Sequence, residues 1–242
     1  MFGDIVNAQG EQLDYSYHAG AEGSSDLVVL GHGVTGNKDR PFIVVLAETL
    51  AVAGLPALRF SFSGNGDSGG SFVDSTISKE VDDLGAILDA AADCRICYVG
   101  HSMAGAVGVL RASQDKRIRL LVSLAGMVHT AAFNEREFGD VTPDAGDMWD
   151  EPDCPLSRTY VEDMNAIGSV VDRASAIAVP WLLVHGSEDD VVPIGDSRDI
   201  VAAQAAATLV EVPGADHVFS MDGTDPMVSE AASWIKSQFA AL

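Results

Sequence analysis

The stretch Arg95-Ile-Cys-Tyr-Val-Gly-His-Ser-Met-Ala-Gly-Ala-Val-Gly-Val-Leu110 decides the fold, because it changes from a strand to a helix at a single serine. Residues 96–99 are apolar, Gly100 permits a tight turn, and residues 104–110 are small and apolar, as in a buried helix. A serine on such a strained turn projects its hydroxyl at the head of a sheet, and only small neighbours tolerate the close approach of strand and helix. The form Gly-X-Ser-X-Ala therefore predicts a nucleophile elbow centred on Ser102; a serine that only caps a buried helix is the alternative.

Length, composition and charge narrow the class of protein. The chain has 242 residues, 47% of them hydrophobic, which is enough for one large α/β domain with a sizeable core. We expect a single domain over residues 1–242. The formal net charge of −22 argues against electrostatic binding to nucleic acid or to an anionic membrane. This acidic composition is typical either of a salt-adapted host or of an ordinary acidic cytosolic protein.

Nothing in the sequence indicates a membrane span, a targeting segment or a paired cysteine motif. No window approaches the roughly 18 uncharged apolar residues of a membrane span, and the N-terminal Met-Phe-Gly-Asp-Ile has neither the basic nor the apolar region of a signal peptide. We therefore expect a cytoplasmic protein without a membrane span; an exported protein whose signal peptide has been removed is the alternative. The sequence leaves the oligomeric state open. The three cysteines predict no disulfide framework. Cys94-X-X-Cys97 lacks a second pair and is interpreted as small buried hydrophobes, not as a metal or redox site.

Apolar runs and amphipathic stretches alternate along the chain. The pattern predicts an opening antiparallel pair (5–6 with 13–18), strands at 27–30, 56–62, 96–99, 120–124, 181–184 and 208–212, and helices at 41–52, 79–91, 104–110, 161–177, 196–207 and 226–242. Strands that alternate with helices of this length indicate βαβ crossovers, and hence an α/β fold with a mostly parallel central sheet and helices on both faces. Between about 127 and 160 the periodicity breaks down among scattered aromatics. We interpret this segment as a short cap insertion over the carboxyl ends of the strands, where ligands bind in open α/β sheets; a disordered surface excursion is the alternative.

Four loops that follow predicted parallel strands carry polar motifs in a definite order. They are a glycine-rich turn at 31–37, the serine elbow, an acidic loop at 185–193 and a histidine loop at 213–219. This order resembles that of the α/β-hydrolase fold superfamily over nearly the whole chain. Within it, the chain is similar to small serine esterases of the feruloyl/cinnamoyl esterase and monoacylglycerol lipase kind, which share the His-Gly-X-Thr-Gly-Asn loop found here from His32 to Asn37.

A second loop also carries the resemblance, with two departures. The stretch Arg59-Phe-Ser-Phe-Ser-Gly-Asn-Gly-Asp-Ser-Gly-Gly70 is similar to the family's Arg-Phe-Asp-X-X-Gly-His-Gly-X-Ser-X-Gly. Ser61 stands where aspartate is usual, and Asn65 stands where histidine is usual. Neither departure touches the expected catalytic residues, but both change hydrogen bonds beside the expected pocket.

The resemblance implies a catalytic role for Ser102, whose neutral hydroxyl needs a base within hydrogen-bond reach. His217, in the loop after the last predicted strand, matches the family's histidine. The remaining histidines are interpreted otherwise: two in the oxyanion and elbow turns, one at a strand end and two in no motif (His32, His101, His185, His18, His129). Asp189 fits the spacing Gly-X-X-Asp-X-X-Val-Pro as the acid that orients the histidine; Asp190 and, more distantly, Glu188 are alternatives.

The expected reaction also needs donors for a negative oxygen. The backbone N–H groups of Val34 and Met103 are the expected oxyanion hole, from the first loop and from the position after the serine. Asp216 adjoins His217 in sequence and is assigned to the surface.

Together these features predict a serine hydrolase that cleaves small-molecule carboxylic esters, with short to medium acyl or aryl groups and feruloyl-type esters as a resemblance-level expectation. We expect no cofactor and no metal site. Thioesterase, lactonase, peptidase or perhydrolase chemistry on the same fold, and a non-catalytic ligand-binding module, remain alternatives at this point.

Overall fold

The structure is a computed structural model and describes residues 2–242. Its strands are β1 (Ile5–Val6), β2 (Gln12–Leu13), β3 (Tyr15–His18), β4 (Asp26–Gly31), β5 (Ala57–Phe60), β6 (Arg95–His101), β7 (Ile118–Leu124), β8 (Trp181–Gly186) and β9 (Ala207–Val212). Its α-helices are α1 (Pro41–Val52), α2 (Ile77–Ala90), α3 (Met103–Ala112), α4 (Thr130–Phe138), α5 (Arg158–Ile167), α6 (Val171–Ala174), α7 (Gly195–Ala203) and α8 (Thr224–Ala241). Short 3-10 helices lie at Phe72–Asp74, Met148–Asp150 and Met221–Gly223.

A seven-stranded sheet of order β3-β5-β4-β6-β7-β8-β9 forms the centre of the fold. Every neighbouring pair is parallel except β3 and β5. Alternate residues of each buried strand face opposite sides, so that on β7 Leu121 joins one apolar core while Leu120 and Val122 join the other. Helices α1 and α8 cover the second face, and α2 and α3 cover the first. The expected α/β-hydrolase architecture is therefore confirmed.

Two parts of the predicted pattern differ from the structure: the opening antiparallel pair and the helix over 161–177. The antiparallel pair at the N-terminus joins β1 only to β2, while β3 pairs with β5 and extends the main sheet. The prediction of one helix over 161–177 is wrong. Helix α5 ends at Ile167 because Gly168 takes φ 68°, a left-handed conformation that favours glycine, and donates its N–H to the Met164 carbonyl at 3.0 Å. Helix α6 then begins separately at Val171.

The segment 127–160 is ordered around its aromatic side chains. It contains α4 and the Met148–Asp150 turn, and a single β-bridge joins Asp147 to Pro155. The rings of Phe138 and Trp149 lie 4.8 Å apart, and Phe138 also contacts Tyr160 of α5 edge to face. The weak periodicity of this stretch reflects packing by a few large rings in place of a continuous amphipathic face.

Small residues let α3 begin directly against the sheet. A Cβ at Gly100 would lie 2.2 Å from the Ala104 carbonyl oxygen, and one at Gly105 would lie 2.7 Å from the Gly126 Cα. Both obstacles are backbone atoms, which cannot rotate away as a side chain can. The small residues that flank Ser102 are thus required by the packing of the β6–α3 junction.

Alanine at Gly105 is expected to destabilise the protein by about 1–3 kcal/mol through overpacking against Gly126. The unfolding temperature should fall by about 2–4 °C per kcal/mol for a chain of this size, measured by thermal denaturation. Gly195, at the start of α7, is the matched control, because a Cβ there meets nothing within 4 Å. Gly195→Ala should leave stability unchanged or raise it by about 0.4–1 kcal/mol. Equal unfolding temperatures for the two variants would contradict this account of the junction.

Candidate active site

The loops after β6, β8 and β9 bring Ser102, Asp189 and His217 together. His217 Nε2 lies 3.0 Å from Ser102 Oγ, and His217 Nδ1 lies 2.9 Å from Asp189 Oδ2. One imidazole ring therefore links the hydroxyl to the carboxylate. Of the acids considered from sequence, Asp189 is the one within hydrogen-bond distance of His217. Asp216 instead accepts hydrogen bonds from the backbone and hydroxyl of Ser220.

Ser102 sits in an unusual backbone conformation, with φ 54° and ψ −120°. Its N–H donates to the Leu124 carbonyl at 3.0 Å, and its own carbonyl accepts from the N–H groups of Gly105 and Met127 at 2.8 and 3.0 Å. The strain of a non-glycine residue at positive φ is thus offset by bonds to two neighbouring segments. These bonds aim the hydroxyl of Ser102 away from the sheet and toward His217.

Asp189 is held as an ionised carboxylate. Burial by itself would raise its pKa, but hydrogen bonds from His185 and His217 and from the backbone outweigh burial and hold the pKa well below the usual range. Its Oδ1 accepts from the N–H groups of Val191 and Val192 at 3.0 and 2.9 Å. The side-chain rotation of Asp189 is therefore fixed from both of its oxygens.

The contact between His185 and Asp189 was missed by sequence reasoning, which assigned His185 only a structural place at a strand end. His185 is fully buried; its Nδ1 pairs with Ser197 Oγ at 2.8 Å, and its Nε2 lies 2.9 Å from the Val192 carbonyl and 3.2 Å from Asp189 Oδ2. With Ser197 donating to Nδ1, Nε2 carries the proton and donates to both oxygens. The only sequence signal was the spacing of four residues between His185 and Asp189.

Two further buried histidines hold the surrounding loops in place. His32 Nε2 accepts from the Phe62 N–H at 3.0 Å, and His32 Nδ1 donates to the Gly33 carbonyl at 2.8 Å. His101 Nε2 donates to the His217 carbonyl at 2.9 Å. Burial is the main cause that lowers the pKa of His32 to about 4 and the pKa of His101 to about 3. Both imidazoles are therefore neutral at neutral pH.

The glycine-rich loop at 31–37 lies against Ser102, and among the described residues its Val34 N–H is a free backbone donor. A Cβ at Gly33 would lie 2.8 Å from Ser102 Cβ, so that only glycine permits this approach. Within residues 2–242, neither the N–H of Val34 nor that of Met103 donates to a protein acceptor. Met103 is also the first residue of α3, where the helix dipole favours negative charge.

The two departures from the family motif are interior hydrogen-bonding residues. Ser61 Oγ accepts from the Lys38 N–H at 3.1 Å, which joins the end of β5 to the glycine-rich loop. Asn65 Nδ2 donates to the Ser63 carbonyl at 3.2 Å. Ser61 and Asn65 therefore form local hydrogen bonds that hold the loops beside the pocket in place.

Two cavities adjoin this cluster. The larger, of about 230 Å³, is lined by Ser102 and His217, the glycine-rich loop, Arg40, and Trp149 and Glu151 from the segment 127–160. The smaller, of about 10 Å³, has room for one water molecule and is bounded by residues including Met103, Glu80 and Tyr160. Glu80 Oε2 has no hydrogen-bond partner there, and burial raises the pKa of Glu80 well above its usual value.

The sequence and the structure both match known proteins. Residues 28–230 match the model of the alpha/beta hydrolase family, and the chain belongs to that family. An uncharacterized protein of Mycobacterium tuberculosis is 29% identical over 206 residues, which cover 81% of this chain but only 64% of that relative. The monoacylglycerol lipase of Mycolicibacterium smegmatis is 26% identical over 248 residues, covering 87% of this chain and 88% of the lipase.

Among solved structures, Est1E from Butyrivibrio proteoclasticus with ferulic acid bound superposes with a TM-score of 0.87 at 25% identity, covering 97% of this chain and 98% of Est1E. The resemblance to small esterases and lipases that the sequence motifs indicated is therefore confirmed. Across residues 2–242, every helix is too short or too polar to cross a membrane.

The low pKa values of His32 and His101 predict a loss of stability in mild acid. Below about pH 6.5 the unfolded chain binds protons at these two positions that the folded chain excludes. The free energy of unfolding should therefore fall as the pH drops from 6.5 toward 3–4, by about 3–4 kcal/mol between pH 7 and pH 5 from these two groups together. Urea denaturation at several pH values measures the loss, and NMR titration of the imidazoles assigns it. In His101→Gln the loss should be about half as large. An imidazole that titrates near 6.5 at either position would contradict this prediction.

Proposed function

We propose that the protein is a serine hydrolase that cleaves carboxylic esters of small molecules through an acyl-enzyme on Ser102. The observation that carries this proposal is the continuous hydrogen-bonded chain from Ser102 Oγ through His217 to Asp189. Such a chain supplies a nucleophile, a base and a group that orients the base. The likeness to a monoacylglycerol lipase and to a protein that binds ferulic acid supports esters, aryl esters among them, over other acyl compounds.

In the proposed reaction, Ser102 Oγ attacks the ester carbonyl carbon while His217 Nε2 takes the hydroxyl proton. The tetrahedral intermediate collapses, the C–O bond to the alcohol breaks, and His217 returns the proton to the departing alcohol. Water then attacks the acyl-enzyme with His217 again as base, and the carboxylic acid leaves. Asp189 holds the Nδ1–H tautomer and stabilises the imidazolium, a role suited to a carboxylate that stays ionised.

The free N–H groups of Val34 and Met103 are the proposed oxyanion hole. Met103 follows Ser102 in the sequence, and Val34 lines the larger cavity together with Ser102. Neither N–H donates to another group in residues 2–242. Each such donor typically contributes about 3–4 kcal/mol to the stabilisation of the transition state. The tight contact of Gly33 with Ser102 supports this role, because it brings the loop close to the reacting carbon.

The segment 127–160 is the proposed cap of a single domain that spans residues 1–242. Trp149 and Glu151 line the larger cavity together with Ser102, and Met148 lines the smaller one beside Met103. A cap of this kind excludes water from the acyl-enzyme and limits the size of the ester. The net charge of −22 also disfavours polyanions such as nucleic acid as partners.

Hydrolysis of p-nitrophenyl esters from two to sixteen carbons, and of methyl ferulate, tests the proposal directly. Ser102→Ala should abolish turnover and reaction with a fluorophosphonate probe. Asp189→Asn should lower kcat by about 10⁴, because the histidine loses its orienting carboxylate. Asp190→Asn removes the same charge one residue away and should stay within a few-fold of the native protein. Activity that is equal in native protein and Ser102→Ala, or absent on every ester, would reject the proposal.

Trp149→Ala tests the cap. The Trp149 ring packs against Phe138, and its Nε1 donates to Glu137 at 3.1 Å, so that its indole is fixed at the cavity wall. Removing the ring should raise KM for eight-carbon esters roughly threefold to tenfold, as expected for about 1 kcal/mol of lost apolar contact. The acetate ester is the internal control and should change less than twofold. A uniform change for all chain lengths would reject a cap role for this residue.

A further inference from the structure

Arg40 is a cationic side chain in the lining of the larger cavity. The chain has 14 Lys and Arg side chains against 36 Asp and Glu, and most of these cations form ion pairs. Arg40 lines the same cavity as Ser102 and His217, yet it forms no ion pair with any described carboxylate. In a chain so rich in acids, an unpaired guanidinium beside the proposed nucleophile is available to a ligand.

Within the described part of the chain, the side chain of Arg40 makes one hydrogen bond to the protein, and that bond goes to the glycine-rich loop. Its Nη2 donates to the Thr35 carbonyl at 3.3 Å, and Thr35 directly follows Val34. A guanidinium has five N–H donors, so most of those on Arg40 remain unused by the protein. The charge of Arg40 also contributes to the low pKa values of His32 and His101, and its field therefore reaches the site itself.

The surrounding charges favour a short-range role for Arg40. The net charge of −22 repels anions at a distance, but salt screens such interactions beyond about 8 Å at physiological ionic strength. Among the residues that line the cavity, the charged side chains are Arg40 and Glu151. The Asp189 carboxylate is fully buried outside this lining, and its oxygens are already saturated by hydrogen bonds. A group that touches Arg40 therefore experiences mainly the guanidinium.

We propose that Arg40 binds a carboxylate carried by the substrate, so that the preferred substrates are esters that bear a negative charge on the acyl or the alcohol part. The planar fork of a guanidinium matches a carboxylate in a bidentate arrangement, which fixes orientation as well as charge. The proposal deepens the ester hydrolase function and rests on it. It makes Arg40 a specificity-determining residue, with Glu151 as the charge in the same cavity that opposes it.

Matched ester pairs test the proposal on each side of the scissile bond. The acyl-side pair is mono-p-nitrophenyl glutarate and p-nitrophenyl valerate; the alcohol-side pair is 4-acetoxybenzoate and its methyl ester. For at least one pair, the ratio of kcat/KM for the anionic to the neutral ester should fall at least tenfold in Arg40→Gln. In Arg40→Lys the ratio should fall by a smaller factor, because lysine keeps the positive charge but lacks the bidentate fork. Arg173→Gln is the matched control: Arg173 is also unpaired but lines a separate surface pocket, and its loss should leave both ratios unchanged. Glu151→Gln should raise the ratio that depends on Arg40.

The pair whose ratio responds identifies which part of the ester carries the charge. If Arg40→Gln lowers anionic and neutral esters equally, Arg40 only supports the Thr35 carbonyl, and the proposal is overturned. Equal ratios in all variants overturn it as well.

A binding measurement separates this proposal from the hydrolase function. Ser102→Ala protein, alone and combined with Arg40→Gln, is titrated by ligand-observed NMR with monomethyl glutarate for the acyl side and with 4-acetoxybenzoate for the alcohol side. Binding at least tenfold weaker in the double variant supports the carboxylate site even where no ester is hydrolysed. If neither ligand binds to Ser102→Ala, or if each ligand binds equally to the two variants, the proposal is rejected independently of any turnover.

Discussion

The backbone of Ser102 is the constraint on which the rest of the site depends. Its positive φ is costly for a residue with a Cβ, about 1–3 kcal/mol. The conformation persists because three backbone hydrogen bonds tie Ser102 to the last residue of β7, to Met127 just beyond it and to the start of α3. Those bonds form only when α3 lies directly on the sheet. Gly100 and Gly105 permit this close approach because neither residue has a Cβ. The sheet order places β6 at the centre, between β4 and β7, so the strained turn is supported from both sides.

Around this turn, three buried histidines hold neighbouring groups in place, while a fourth, His217, faces the serine. His32 ties the glycine-rich loop to the end of β5, His101 holds the carbonyl of His217, and His185 steadies Asp189. Burial keeps His32 and His101 uncharged, so neither competes with His217 for the proton nor repels the positive charge that His217 would acquire. The interior of the site thus concentrates its negative charge in one fixed carboxylate.

The wall of the larger cavity is built from different elements than its floor. The floor is built from the parallel strands and their loops, which the structures of distant relatives share at high overall similarity. The wall comes from Arg40, which directly precedes α1, and from the segment 127–160, where aromatic rings pack against one another. Loops of this kind tolerate change because little of the sheet depends on them, and they are where related folds acquire different ligands. Arg40 and Glu151 bring charge to that wall.

The sequence by itself determined the alternation of strands and helices, the serine turn and the loops that carry Asp189 and His217, because hydrophobic period and glycine spacing are local signals. It misjudged the break at Gly168, where one left-handed residue outweighs helical periodicity. Only the tertiary structure brought Asp189, and not its neighbour Asp190, within hydrogen-bond distance of His217. It also placed His185 beside that carboxylate and left Arg40 without an acidic partner in residues 2–242. These are contacts between residues distant in the chain or differently oriented on one loop, and their geometry depends on how the whole sheet and its helices pack.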